Sequence, residues 1–377
     1  MKALIDKKNF VGLEQCAWFF SGAETPTHRG VLGAVIEYMI SRSLGPEGRE
    51  RNARTEQRCK ANLARLLNGE PEQIAIMSSA SEVISMLARA VELQPGDNVV
   101  IHNLEFPSGV LPWLALRKEG VEVRVVEHRD WVIDESDILQ RMDERTRLVL
   151  TSHVSYLTGV RFDYRTLYDR IRKTKAALVL DATQSLGVVP VDLKLADVVV
   201  CSSYKWLLGV HGGGVLAVNP ERGFDYRPPY VGWRSVADRP AGKKFESFDF
   251  QPDARRFELG YPSYPTVYAL EHSTRLLLDV GVDRIERHVL ALGEQVMRLL
   301  QSLDLAVTTP DDPVRRAGNI SFLYEEAEKL ADRLARKCIY VMGSEGRVRI
   351  SVHAFNDTAD IERLAAALPA CIGGEGQ

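Results

Sequence analysis

Asp181 and Lys205 are the two residues whose types and positions point most directly to chemistry in this chain. Each follows an apolar run that predicts a buried strand: residues 176–180 end at Asp181, and residues 196–201 lead into the segment SSYKW, residues 202–206. Ligands of open α/β sheets bind beyond the carboxyl ends of the strands, so two such parallel strands place the acid and the amine in one crevice. A lysine beside hydroxyl groups there predicts a Schiff base with a carbonyl compound.

Pyridoxal phosphate fits these residues, because its ring needs a lysine imine, an acid at the pyridine nitrogen and donors around the phosphate. Asp181 would keep that nitrogen protonated, since an anion about 3 Å from a buried cation contributes several kcal/mol at an effective dielectric near 20. Ser202, Ser203 and Tyr204 can donate to the phosphate. The amide of Gln184 can bond the phenolate oxygen of the ring or the imine nitrogen.

The segments DATQSLG, residues 181–187, and SSYKW, residues 202–206, resemble those of fold type I pyridoxal phosphate enzymes of the class V aminotransferase family. That family includes cysteine desulfurases, kynureninase and isopenicillin N epimerase, and the resemblance extends over nearly the whole chain. It implies an α/β fold in which residues 1–265 form an N-terminal segment and a large domain with a mainly parallel central sheet, and residues 266–377 form a small α+β domain. It also implies an α-amino acid substrate and a homodimer.

Two further cofactor contacts follow from the resemblance. Ala80 and Ser81 come shortly after a predicted strand at residues 74–77 and start a helix, whose free backbone N–H groups suit a phosphate. The alternative for this segment is an ordinary helix N-cap with nothing bound. Phe106 follows a predicted strand at residues 99–102 and is expected to stack on the cofactor ring, the alternative being an apolar loop anchor.

Substrate contacts are also expected from matching positions. Ser155 occupies the position from which the family contacts the ring oxygen or the substrate, where desulfurases usually have asparagine. Tyr261 replaces a threonine that reaches a phosphate across a dimer interface, so this contact is moved or removed here. Arg349 matches the arginine that binds the substrate carboxylate, and a guanidinium binds a carboxylate bidentately. Arg347 on the same strand face competes for this role, and a surface salt bridge is the alternative.

The reaction depends on which substrate bond aligns with the π system of the ring. Desulfurases carry a mobile cysteine on a loop shortly before the arginine strand, whereas here residues 337–346 run directly into that strand and hold Cys338 in a strand-like run. We therefore predict a lyase that breaks a C–S or related bond at Cβ, in which Lys205 forms the imine and then moves a proton at Cα. An aminotransferase or amino-acid epimerase is the alternative, and a non-catalytic scaffold is a distant one.

The glycine-rich segment after Lys205 matches a second motif, because Gly212, Gly214 and Ala217 fit GxGxxA. A dinucleotide-binding fingerprint follows a strand and opens a helix, whereas these glycines precede a strand-like run, so we reject that function. They are expected to let the backbone approach the cofactor loop closely. The following residues 222–256 lack periodicity and predict long loops at the site and at an interface.

Composition limits the remaining possibilities. The 377 residues are 45% hydrophobic, which is enough for a full core and predicts roughly two domains. A formal net charge of −3 gives no electrostatic footprint for nucleic acid. The five cysteines form no CxxC pair or metal-binding spacing, which favours a reducing compartment and no metal. Without a secretory signal or an apolar run of membrane length, we expect a cytoplasmic enzyme with no membrane partner.

Overall fold

A computed structural model describes residues 1–238 and 246–373. The strands of the described residues are β1 (Ala17–Trp18), β2 (Ile74–Met77), β3 (Asn98–His102), β4 (Glu122–Val126), β5 (Thr146–Ser152), β6 (Ala177–Asp181), β7 (Val198–Ser202), β8 (Gly214–Val218), β9 (Val236–Asp238), β10 (Asp249–Phe250), β11 (Asn319–Leu323), β12 (Ile339–Tyr340), β13 (Met342–Ser344) and β14 (Arg347–Ser351). The α-helices are α1 (Arg29–Ser41), α2 (Pro46–Leu66), α3 (Ala80–Ala90), α4 (Leu111–Leu114), α5 (Glu135–Gln140), α6 (Tyr164–Ile171), α7 (Tyr264–Val280), α8 (Val282–Ser302), α9 (Ala327–Ala335) and α10 (Thr358–Ile372).

The central sheet has the strand order β2-β8-β7-β6-β5-β3-β4. Strands β3 to β7 pair in parallel, and β8 runs antiparallel to both of its neighbours. Every residue of β2, β3, β6 and β7 is buried, as is every residue of β5 except Arg147, because helices and loops cover both faces, and this explains the apolar runs within these strands. The predicted α/β fold with a mainly parallel central sheet is confirmed.

Strand β7 shows how the sheet separates its core from its site. Val198 and Val200 belong to the apolar cluster that packs on α3, whereas Val199 and Cys201 belong to the cluster on the opposite face. Successive side chains of a strand alternate between the faces, so the apolar residues fill both cores. The polar groups are left for the strand end, where Ser202 is the last residue of β7.

The C-terminal elements form a second sheet of three antiparallel strands, in the order β11-β14-β13. The N-terminal segment joins this part of the molecule, because β1 pairs in parallel with β12 and Phe20 pairs with Ser351. Residues 21–25 therefore lie between the two sheets, where Thr25 Oγ1 donates to the carbonyl oxygen of Lys205 at 3.0 Å. The division at residues 265 and 266 stays a prediction.

Three features of the structure go beyond what the sequence pattern predicts. The sequence of residues 266–300 has continuous helical periodicity, which predicts one helix, but the structure has two helices separated at Gly281, whose φ is 90°. The strand β4 was not predicted, because Glu122 and Arg124 interrupt its apolar pattern at the sheet edge. Within the predicted loops of residues 222–256, β9 and β10 form a short antiparallel pair, and residues 239–245 lie outside the described residues.

None of the helices in the part of the chain that the structure describes is long and apolar enough to span a membrane.

Candidate active site

Two adjoining cavities lie beyond the carboxyl ends of β5, β6 and β7. We call the first the strand-end cavity, and its lining includes most of the predicted cofactor residues: Ala80, Ser81, Phe106, Asp181, Gln184, Ser202, Tyr204 and Lys205. The second, of about 270 Å³, is called the arginine cavity because Arg347 and Arg349 line it, and it shares Phe106, Gln184 and Lys205 with the first. A larger groove of about 1210 Å³ lies elsewhere and contains none of the predicted site residues.

Lys205 and Asp181 are both buried at this end of the sheet, with 8% and 6% of their surfaces exposed. Burial, and after it the positive charge of Arg349, lower the pKa of Lys205 to about 8, while the carboxylate of Asp181 opposes the change. Burial also raises the pKa of Asp181, against hydrogen bonds from Thr183, whose N–H donates to Oδ1 at 2.8 Å. A cation bound beside Asp181 would reverse that direction, so the site suits a protonated ring nitrogen.

Aromatic rings surround the amine. Lys205 Nζ lies 5.4 Å from the ring centroid of Phe106 and 5.6 Å from that of Tyr204. Phe106 packs edge-to-face against Tyr156 with centroids 5.1 Å apart, and 42% of its surface is exposed at the cavity. An apolar loop anchor would be covered by protein, so this exposure favours a ring that covers a ligand.

The side-chain amide of Gln184 is held in one orientation. Its Oε1 accepts hydrogen bonds from Trp206 Nε1 at 2.8 Å and Asn319 Nδ2 at 3.0 Å, and its Nε2 donates to the carbonyl oxygen of Gly22 at 2.8 Å. An indole nitrogen only donates, which fixes the atom facing Trp206 as the oxygen. The second N–H of Nε2 is therefore the group that Gln184 can offer to a ligand.

The start of α3 provides donors at the strand-end cavity. Ser79 Oγ accepts the N–H of Glu82 at 3.1 Å, so the N-cap that was considered as the alternative is present. The first N–H groups of a helix have no acceptor within it, which leaves those of Ala80 and Ser81 for a ligand. A Cβ at Gly214 would lie 2.2 Å from the carbonyl carbon of Ser79, so this glycine lets β8 approach the turn as expected.

Two predicted hydroxyl contacts are not brought to the cavities. Ser203 Oγ donates to the carbonyl oxygens of Val210 at 2.5 Å and Gly213 at 3.0 Å, so it stabilises the following loop, and its expected phosphate contact is wrong. Ser155 is fully buried, and its Oγ accepts the N–H of Leu157 at 3.2 Å within the turn after β5. It lines neither cavity, and its expected contact with the ring oxygen or the substrate is not seen.

Tyr261 lies outside both cavities. Its hydroxyl accepts a hydrogen bond from Arg49 Nη2 at 3.0 Å, its ring packs edge-to-face on Trp233, and 54% of its surface is exposed. Within one chain it therefore makes no contact with the strand-end cavity. A role in a second subunit and the homodimer itself stay predictions.

The two candidate arginines differ in their partners. Arg349 is buried, and its Nη1 donates to the carbonyl oxygen of Tyr156 at 2.7 Å, while its Nε has no partner among residues 1–238 and 246–373. No carboxylate among the described residues pairs with it, whereas Arg347 Nη2 lies 3.0 Å from Glu345 Oε2. Burial and the charge of Arg347 lower the pKa of Arg349 to about 10. A buried charge without a counter-ion is costly, so Arg349 is the arginine prepared for a carboxylate.

Two residues that position the site, Glu105 and Thr183, are not among the predicted site residues. Glu105 is buried beside Phe106. Its carboxylate accepts a hydrogen bond from Ser152 Oγ at 2.6 Å, and its Oε1 lies 2.7 Å from His102 Nε2. These contacts fix the loop that carries the aromatic ring of Phe106. Thr183 donates its N–H to Asp181, and its Oγ1 accepts the N–H of the last residue of β7 at 3.2 Å. The sequence signal for Glu105 is an acidic residue shortly after an apolar strand, and the signal for Thr183 is its position within DATQSLG.

The donor set fits pyridoxal phosphate. One cavity joins a buried amine with a lowered pKa, a buried carboxylate, an aromatic face and a helix N-terminus. Lys205, Asp181 and Phe106 would hold the ring, and Ala80 and Ser81 would hold the phosphate.

No cysteine contributes to this arrangement, and all five lie within the described residues. Cys201 is buried in β7, and burial raises the pKa of its thiol well above the usual value. Cys338 is exposed before β12, with a φ of 56°. Neither thiol lines the strand-end cavity or the arginine cavity.

Comparison with known proteins gives a consistent result. A model of the family described as Aminotransferase class-V matches residues 17–364. A protein of Methanothermobacter thermautotrophicus named "Probable cysteine desulfurase" is 28% identical over 94% of this chain and 94% of its own length. The cysteine desulfurase of Thermococcus onnurineus NA1 shares the fold with a TM-score of 0.90 at 24% identity, over 99% of this chain and 100% of that one. A cystine C-S lyase in complex with cysteine persulfide shares it with a TM-score of 0.87 at 21% identity, over 95% of this chain and 98% of that one.

Proposed function

The chain belongs to the class V aminotransferase family and is a pyridoxal-phosphate-dependent enzyme, and from this premise we propose that it is a β-eliminating lyase. Its substrate is an α-amino acid with a sulfur or related leaving group on Cβ. The observation that supports this function is a complete amine, acid and arginine set in cavities that contain no thiol. A transfer of sulfur to a protein cysteine needs such a thiol beside the substrate.

Arg349 and Lys205 have different roles toward the substrate. When bound, pyridoxal phosphate supplies an electron sink for negative charge at the substrate Cα. Arg349 binds the α-carboxylate and places Cα near Lys205, which lines the same cavity. Lys205 Nζ then takes the proton from Cα, and its pKa of about 8 keeps part of the amine unprotonated near neutral pH.

The products follow from the atom balance. The Cα proton moves to Lys205 Nζ, the Cβ–S bond breaks, and the sulfur leaves as a thiol. Addition of one water molecule to the remaining three-carbon fragment gives pyruvate and ammonia. The reaction consumes no oxidant or reductant and leaves no sulfur on the protein.

The fold neighbours are named for two different activities. One fold neighbour is a cystine C-S lyase, and another is a cysteine desulfurase. The position of Cys338 favours the lyase, because its exposed thiol lies outside both cavities. Both alternatives use the same buried lysine and differ in what receives the sulfur.

A substrate panel tests the proposal. Protein loaded with pyridoxal phosphate is incubated with S-substituted cysteines and kynurenine, while thiol, pyruvate and the visible spectrum are recorded. We expect equal amounts of thiol and pyruvate from at least one S-substituted cysteine and none with Lys205→Ala. A visible band that is lost without pyruvate and restored by a 2-oxo acid would identify an aminotransferase instead. Deuterium exchange at Cα without elimination would identify an epimerase.

A further inference from the structure

The arginine cavity holds more positive charge than one substrate carboxylate requires. Among the residues that the structure describes, three cationic side chains line it, those of Lys205, Arg347 and Arg349, against one carboxylate, that of Glu345. Arg347 and Arg349 are 4% and 6% exposed, so solvent does little to screen them. With Arg349 on the α-carboxylate and Lys205 at the cofactor, one buried cation stays available beside the substrate.

Arg347 is placed to face the substrate. Residues two apart on a strand project to the same side, so Arg347 and Arg349 of β14 both line the cavity, as do their cross-strand partners Ser344 and Met342 of β13. The guanidinium of Arg347 also lies 5.6 Å from the ring centroid of Tyr156, which lines the same cavity. Its fixed position within the cavity wall suits recognition of a planar anion.

The internal partner of Arg347 is a weak competitor for that anion. Among residues 1–238 and 246–373, Arg347 donates from Nη2 alone, to Glu345 Oε2 at 3.0 Å. The side chain of Glu345 is 63% exposed, and its backbone φ of 51° places it in a turn between β13 and β14. An exposed carboxylate keeps its hydration and contributes little to the pair, so a ligand carboxylate can replace it or join it.

We propose that Arg347 binds a second carboxylate, carried by the substrate side chain. The substrate class is then an α-amino acid whose leaving group bears an acid, such as an S-(carboxyalkyl)cysteine. This inference rests on the proposed function for the assignment of the α-carboxylate to Arg349. It concerns recognition, so binding measurements test it whether or not elimination occurs.

Matched acids and amides form the test. Dissociation constants are measured by calorimetry on the holoenzyme for S-carboxymethylcysteine against S-carbamoylmethylcysteine, and for glutamate against glutamine. The second pair has no leaving group on Cβ, so it reports recognition alone. A charge-assisted contact predicts that each acid binds about 10-fold to 100-fold more tightly than its amide. Equal affinities for acid and amide in the unmodified enzyme would overturn the proposal.

Variants of the cavity then assign the effect. Arg347→Gln should reduce the preference for acid over amide to within about 3-fold, and Arg347→Lys should keep part of it. Arg298→Gln, on the exposed side of α8, is the charge-matched control and should keep the full preference. An equal loss for acid and amide in Arg347→Gln would show that Arg347 binds the α-carboxylate, which contradicts the proposal.

Glu345→Gln keeps the experiment decisive if Arg347→Gln does not fold. Removing the competing carboxylate leaves the guanidinium of Arg347 free for the ligand, so the acids should bind about 3-fold to 10-fold more tightly and the amides should change less. Unchanged or weaker binding of the acids in this variant would show that the pair of Arg347 and Glu345 is structural only. Absence of pyruvate from every substrate, together with a preserved preference for acids, would reject the lyase and keep this inference.

Discussion

The strand-end cavity and the arginine cavity adjoin each other but differ in how far the protein satisfies their polar and charged groups. In the first, short-range contacts satisfy the polar groups: Thr183 donates to Asp181 and accepts from the backbone of Ser202. In the second, Arg347 and Arg349 come from β14, and the buried Nε of Arg349 has no partner within the described part of the chain. The first is organised for a group that stays bound, and the second keeps charge uncompensated for a ligand that enters and leaves.

Substitution in the strand-end cavity should have the largest effect. Lys205→Ala removes both the attachment point of the cofactor and the base at Cα, so turnover should fall by at least about 10⁴-fold. Thiol release and the visible spectrum measure the loss, with circular dichroism as the control for folding. Turnover within 10-fold of the unmodified enzyme would mean that another group acts as the base.

Substitution in the arginine cavity should affect the substrate and spare the cofactor. Arg349→Gln removes the buried partner of the α-carboxylate, so kcat/KM should fall by about 10²-fold to 10³-fold while the affinity for pyridoxal phosphate changes little. Arg349→Lys is the matched control and should recover part of the loss. A large loss of cofactor affinity with an unchanged KM would contradict the division between the two cavities.

The fold could be predicted largely because burial on both faces leaves a clear sequence signal. Residues 176–180 and 198–201 are apolar throughout, and these runs lie in or next to β6 and β7. The edge strand β4 gave no such signal, since Glu122 and Arg124 belong to its solvent side. The helix break at Gly281 was also missed, because periodicity continues across it.

The sequence predicts most of the residues that line the site, but not the hydrogen bonds and ion pairs that their side chains make. Residues at strand ends, such as Asp181 and Lys205, reached the cavity as expected. Ser155 and Ser203 did not, because a sequence position next to a strand end does not determine which way a side chain points. The competition between the arginines could be addressed only by the structure, which shows the carboxylate beside Arg347.

The charge of Arg349 in the arginine cavity lowers the pKa of Lys205, so the attachment of the cofactor to Lys205 should depend on pH. In the cofactor-free protein the pKa of Lys205 is about 8, because of burial and then the charge of Arg349, so its amine becomes reactive as pH rises through that value. We expect the rate of covalent attachment of pyridoxal phosphate to rise about 10-fold per pH unit below 8 and to level above it. Absorbance after rapid mixing measures the rate, and Arg349→Gln should shift the midpoint upward. A midpoint near 10.5 would contradict the burial of the amine.

The smallest expected effect is that of Ser155→Ala. Its hydroxyl accepts the N–H of Leu157 in a turn outside both cavities, so the variant should lose about 1 kcal/mol of unfolding free energy and keep its cofactor affinity within about 3-fold. Urea unfolding and cofactor titration measure the two quantities. A cofactor affinity lower by 10-fold or more would restore the contact expected from the sequence.

The product made from the carbon skeleton tests the central claim most directly. The holoenzyme is incubated with an S-substituted cysteine that it consumes and, in a separate sample, with free cysteine, and pyruvate and alanine are quantified in each sample. Elimination by Lys205 without a protein thiol predicts one pyruvate and one thiol per substrate, no alanine, and the same yield after Cys338→Ser. Formation of alanine from free cysteine, with its sulfur held on the protein as a persulfide and both lost after Cys338→Ser, would contradict the account and identify a desulfurase.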